Sequence, residues 1–182
     1  MRGFGARFGT VTIALALCLI TSISAQGARL ALEVKSLRGV VGVHVVVESL
    51  AADLVSDGLT TDSLEKTVTD RLSAGGIRLL TEDELSQDGA AIFYISLASV
   101  KNDKGLYACD IHAEVIQAAA LTRDPHILTP ATTWTSTTVG IVGASNVRQL
   151  NDTVGRLADE FVRDYKSVNS TTPTTMPKTK IA

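Results

Sequence analysis

The chain has 182 residues, of which 45% are hydrophobic and 20% charged, and its formal net charge is −2. That length suits one domain with a proper core and is short for two. The mild acidity excludes a general binder of phosphate backbones, which presents a basic face.

The first element is a leader. Arg2 and Arg7 precede an apolar run from Val11 to Ile20, and the small residues Thr21, Ser22, Ser24 and Ala25 follow. This is the form of a secretory signal peptide over residues 1–25, cleaved near Ser24 or Ala25. The apolar run falls short of the ~20 residues of a spanning helix, so no stable membrane insertion is expected. Leu17, directly before Cys18, stands where a bacterial lipoprotein signal has a small residue, and Cys18 reads as part of the apolar run. Loss of Arg2 and Arg7 leaves 15 Lys and Arg against 19 Asp and Glu, a charge of −4, and Cys109 as the remaining cysteine. A mature chain with one thiol has neither an intramolecular disulfide nor a cysteine zinc site.

Residues 26–38 read as a linker or a lead-in strand, and a single α+β domain is expected over 39–169. Val40 to Glu48 alternates as a strand, with Val41, Val43, Val45 and Val47 on one face and His44, Val46 and Glu48 on the other. Asp57-Gly58 signals a turn. A helix follows from Asp62 to Ala74, where Asp62 and Glu65 fit a capping box, Leu64, Val68 and Leu72 form a stripe, and Gly75-Gly76 ends it. Ile77 to Leu80 reads as a short strand, and Thr81 with Glu84 repeats the capping signature, opening one helical turn or an acidic turn.

Ile92 to Val100 and Leu106 to Leu121 are the next two strands. In the second, Tyr107, Cys109, Ile111, Ala113 and Val115 alternate with Ala108, Asp110, His112 and Glu114. Opposed residues of an antiparallel pair share a face, which requires even sums for paired numbers. A loop Asp103-Lys104-Gly105 satisfies this, puts Gly105 at the left-handed position, and sets Leu97 against Ile111, Ser96 against His112, Ala98 against Asp110 and Tyr94 against Glu114. Asp124-Pro125 marks a reversal, Pro130 argues against a central strand at that point, and the threonine-rich stretch Thr132 to Val142 is the last strand. Val147, Leu150, Val154, Leu157, Phe161 and Tyr165 then form the apolar stripe of a helix capped by Ser145 or Asn146 and ending near Val168. Residues 170–182, rich in Thr, Pro and Lys, read as a disordered tail.

The expected fold is an α+β two-layer sandwich: a mixed, mostly antiparallel sheet of about five strands with two helices on one face, in the order β-α-β-β-β-β-α. The other face carries the chemistry-bearing residues. Asp110, His112 and Glu114 are competent metal ligands, joined by His44 if its strand is a neighbour, although alternate residues on a flat strand stand about 6.6 to 6.8 Å apart. Ser96 across from His112, with Asp110 diagonal, is the outline of a nucleophile site that still needs oxyanion donors. Tyr94, Tyr107 and Trp134 are the aromatic anchors of a partner-binding face wherever they lie exposed, and alternation assigns Tyr107 to the core. No Walker loop, dinucleotide fingerprint, HExxH or EF-hand is present.

The stretch from Leu37 to Asn169 resembles a family of small exported bacterial proteins of unknown function. The residues that carry the resemblance are Val41 to Glu48, Ala74-Gly75-Gly76-Ile77-Arg78-Leu79-Leu80, Gly105-Leu106-Tyr107, Thr133-Trp134-Thr135 and Asp159-Glu160-Phe161. More distantly, the element order is similar to the amino-terminal domain of TolB-type periplasmic proteins and related envelope lipoproteins. The resemblance implies a non-catalytic protein-binding or assembly module of the bacterial envelope, periplasmic or secreted, with an envelope protein as partner; the acidity argues against nucleic acid, and no cofactor is expected. It brings no catalytic or metal-binding residues. The binding residues expected are Tyr94, Ser96, Asp110, His112, Glu114 and Trp134. The alternative is a metal-binding or hydrolytic protein using Ser96, Asp110, His112 and Glu114.

Overall fold

The computed structural model describes residues 31–170. The expected leader and all but the first residue of the expected tail lie outside the described residues. The architecture is α+β, with one open mixed sheet of four strands in the order β1-β2-β3-β4 and helices packed against it. Strand β1 is Gly42–Val47, β2 Ala90–Lys101, β3 Leu106–Leu121 and β4 Asp124–Gly143. The first strand pairs parallel with β2, and the other neighbours are antiparallel.

Residues 31–36 are helical (α1), where the sequence suggested a strand or linker. A short helix α2, Ala52–Ser56, precedes the Asp57-Gly58 turn, in which Gly58 takes a φ of 99°. Helix α3 spans Thr61–Ala74. Its cap is Thr60, not Asp62: the Thr60 hydroxyl accepts from the Ser63 N–H at 3.2 Å. The second capping signature is borne out, since the Thr81 and Glu84 capping box opens a 3-10 turn over Glu82–Ser86.

That capping box explains why the expected fifth strand is reduced to one bridge. Val43 donates to the Arg78 carbonyl at 2.9 Å and accepts from the Leu80 N–H at 2.8 Å, giving a single parallel bridge from Val43 to Leu79. At the next residue the Thr81 N–H turns to the Glu84 carboxylate at 2.9 Å, and the chain leaves β1.

The β2–β3 hairpin follows the arithmetic of its sequence. Leu97 faces Ile111, Ser96 faces His112, Ala98 faces Asp110 and Tyr94 faces Glu114. Gly105 has a φ of 73°, the left-handed conformation that a residue with a Cβ resists. The last strand begins at Asp124, well before Thr132, and Pro130 lies within it. A strand with a free side tolerates proline, and β4 is an edge. It leads through a 3-10 turn, Ala144–Gln149, into helix α4, Leu150–Asn169. Neither Ser145 nor Asn146 caps α4, because that turn already carries the chain into it.

The core lies on the odd-numbered side of β2 and β3. Phe93, Ile95, Tyr107, Ile111, Ala113 and Val115 are buried there with Leu64, Val68 and Leu72 of α3 and Val154, Leu157 and Phe161 of α4. Phe161 is its hub, with ring centroids 5.0 Å from Phe93, 5.5 Å from Trp134 and 5.9 Å from Tyr165. Among the described residues no helix is long and apolar enough to cross a membrane.

Candidate functional site

The even-numbered residues of β2 and β3 point away from the helices and form the outer face. At its centre Ser96, His112 and Thr137 stand in a row across three strands, with Asp110 next to His112 along β3. His112 Nε2 lies 3.1 Å from Asp110 Oδ2, and both side chains are roughly half exposed, at 38% and 48%. Ser96 is brought opposite His112 as the sequence implies, yet the imidazole nitrogen turns along its own strand to the carboxylate rather than across to the serine. An exposed pair of this kind offers a donor, an acceptor and a charge that depends on protonation.

His44 does not join this cluster. Strand β2 separates β1 from β3, and His44 Nδ1 lies 3.0 Å from the Leu80 carbonyl oxygen. Among the described residues no group of three His, Cys, Asp or Glu side chains converges as metal ligands. The cause is geometric, since Asp110, His112 and Glu114 project in parallel from a flat strand.

Tyr94 occupies the end of the outer face nearer the start of β2, between Glu48 and Glu114. Desolvation, followed by the charge of Glu48 and a hydrogen bond with it, holds the phenol above its ordinary pKa, and the charge of Glu114 adds to this. Glu114 Oε2 also accepts from the Thr132 hydroxyl at 3.3 Å. Trp134 leaves the candidate set. It is 3% exposed, its indole N–H donates to Asp164 at 3.0 Å, and its ring packs on Phe161. It faces the helices because it pairs with Val115, a core position of β3.

The hairpin end of the outer face is apolar, which residue-type searching missed. Val100 is 74% exposed, Val139 78% and Ile141 77%, with Leu106 beside them at 42%. The register brings them together: Val100 faces Ala108, Ala108 faces Ile141, and Asp110 faces Val139. The even-sum rule already put Val100 and Ala108 on the face of Asp110, and only the pairing of β4 was needed to add Val139 and Ile141.

A second polar cluster lies near the turn after α2. Asp57 Oδ2 accepts from Lys101 Nζ and from the Tyr107 hydroxyl, both at 2.6 Å, and the Lys101 ammonium stands 5.0 Å from the Tyr107 ring centroid. The hydrogen bond from Lys101, then that from Tyr107, holds the Asp57 carboxyl below its usual range. This cluster ties the Asp57-Gly58 turn to the β2–β3 hairpin and leaves its acceptor saturated.

Among the described residues two recesses stand out, and neither is lined by Ser96, Asp110 or His112. One, of about 560 Å³, lies between the Leu85–Gly89 segment and the Ala118 and Pro130 end of the β3–β4 ribbon. The other, of about 260 Å³, lies where β4 passes beside α4 at Thr138, Gly140, Thr153 and Arg156. Around Ser96, Asp110 and His112 the outer face is an open surface, suited to contact rather than to enclosing a substrate, whereas beyond Tyr94 and Glu114 it runs into the recess of about 560 Å³ at Ile92 and Ile116.

No protein-family model and no curated protein sequence matches the chain. Among solved structures, the chain is similar to a minor lipoprotein from Acinetobacter baumannii determined at 2.35 Å, with 12% identity over 71% of this chain and 90% of that one and a TM-score of 0.33.

Proposed function

We propose that this chain is an exported, two-layer α+β module that binds another protein of the bacterial envelope through its outer sheet face. One observation carries the reading: Val100, Leu106, Val139 and Ile141 stand exposed together at the hairpin end of the outer sheet face. Contiguous exposed apolar side chains rimmed by polar ones are a feature of protein contact surfaces. Asp110, His112, Glu114 and Tyr94 supply the polar part, and they give the contact orientation rather than most of its energy. The leader supports export, and the open geometry at Ser96 supports contact over hydrolysis.

The test is a photo-cross-linking residue at Val100 in cells that export the protein, with the same residue at Lys66 on α3, whose side chain is 75% exposed, as control. A discrete adduct from Val100 and none from Lys66 supports the reading. Equal or absent adducts at both positions overturn it.

A further inference from the structure

We infer that β4 pairs with β4 of a second copy of this chain, antiparallel and about a two-fold axis at Thr138, joining two four-stranded sheets into one. The two edges of the sheet differ in a way that calls for this. The β1 edge is short, and the chain around Arg78 and Leu80 occupies it at Val43 by two hydrogen bonds. The β4 edge belongs to a strand of 20 residues, and from Pro125 to Val147 the sequence holds no Asp, Glu, Lys or Arg. Proteins that stay monomeric blunt such edges with charge, proline or a bulge.

The proline and the irregularity at Thr133 protect only the first half. Ala144 donates to the Gly105 carbonyl at 2.8 Å, which fixes the ladder: even-numbered residues of β4 from Trp134 onward bond to β3. The N–H and C=O groups of Thr135, Thr137, Val139 and Ile141 therefore point outward. Before the irregularity between Val115 and Ile116 the alternation is reversed, so Pro130 sits at an outward position, where its missing N–H does no harm. The carbonyl of Thr133 is taken by the Ser36 hydroxyl at 3.0 Å, which closes the free segment on that side, and β4 ends at Gly143 on the other.

A second copy fits this window in a self-consistent way. Centred on Thr138, the outward groups of Thr137 meet those of the other Val139, and Thr135 meets the other Ile141. Each exposed Val or Ile gains a β-branched cross-strand neighbour on the outer face, a favourable pairing in sheets. On the helix side, Gly140 has open space where a side chain would stand, and the recess beside it holds Arg156. The pairing sets Gly140 opposite the other copy's Ser136, whose hydroxyl donates to Glu160 at 2.6 Å. Arg156 has no ion pair among the described residues and donates to Thr153 at 2.9 Å. The two-fold thus brings each Arg156 toward the other copy's Glu160, so charges are complementary across the axis. The pairing lies in the plane of the sheet and leaves the outer face free.

The test uses the purified exported protein in sedimentation across a wide concentration range, together with Thr138→Cys. The two Thr138 residues form a non-hydrogen-bonded pair, with Cα atoms about 4.5 Å apart, inside disulfide range. Mild oxidation gives a covalent dimer from Thr138→Cys and none from Thr135→Cys, whose own counterpart lies on the order of 20 Å away along the strand. Val139→Lys, at a site that bears no packing, weakens the dimer by about tenfold or more through like charge at the axis while thermal stability is kept. A protein that stays monomeric at all concentrations and gives no dimer from Thr138→Cys overturns the inference. The Val100 adduct is independent of these outcomes, so the outer-face reading and the edge pairing fail separately.

Discussion

The two faces of this sheet obey the same alternation and end in opposite states. On the odd-numbered side every position of β3 from Tyr107 to Val115 is buried, in the core it shares with residues of α3 and α4. On the even-numbered side the same span carries Ala108, Asp110, His112 and Glu114, all reachable by solvent. Period two places a residue on a face, but only what packs against that face decides whether the residue becomes core or surface. The outer face is also graded along its length, apolar at Val100 and Ile141 and polar at Tyr94 and Glu114.

The contrast is broken most severely from the inside. Phe161→Ala should cost about 3–5 kcal/mol in chemical denaturation, because it removes the ring shared by Phe93, Trp134 and Tyr165 and leaves a cavity. An unchanged midpoint would show that the aromatic cluster is not the hub. Trp134→Phe comes next: it keeps most of the buried ring and deletes the donor to Asp164, for which a loss of about 1–3 kcal/mol is expected.

A pH-dependent effect sharpens the comparison further. The folded Asp57 carboxyl is held below its unfolded value by Lys101 and Tyr107. Its contribution to stability is therefore present above the unfolded pKa and is lost as pH falls through the depressed folded one. Asp57→Asn should flatten the acid limb of a plot of Tm against pH, and an acid limb identical to that of the native chain would count against the cluster. On the outer face, where Ser96 and His112 are partly exposed, Ser96→Ala and His112→Ala should each shift stability by no more than about 0.5 kcal/mol, as surface substitutions usually do. A loss as large as that of Trp134→Phe at either position would mean that this face is covered in the folded protein.

The hairpin from Ile92 to Leu121 was legible down to residue pairs. Its two apolar rows admit one register on a common face, and Gly105 admits one loop. The candidate site was legible only in part. Ser96, Asp110 and His112 fell together as their parity required, but Trp134 is a core residue, and nothing in Thr133-Trp134-Thr135 alone reveals that it pairs with Val115. The Thr60 cap was missed because Asp62 and Glu65 offer the same signature two residues later.

By itself, then, the sequence determined helices α3 and α4, strands β1, β2 and β3, the hairpin register and which side of each central strand is apolar, since these rest on local periodicity and on turn geometry. Tertiary structure decided what depends on neighbours far along the chain: that β2 stands between His44 and His112, that Ile77 to Leu80 makes one bridge instead of a strand, and that β4 lies at an edge. Strand order and the covering of a face are set by which surfaces meet across the core, and a one-dimensional pattern does not contain that information.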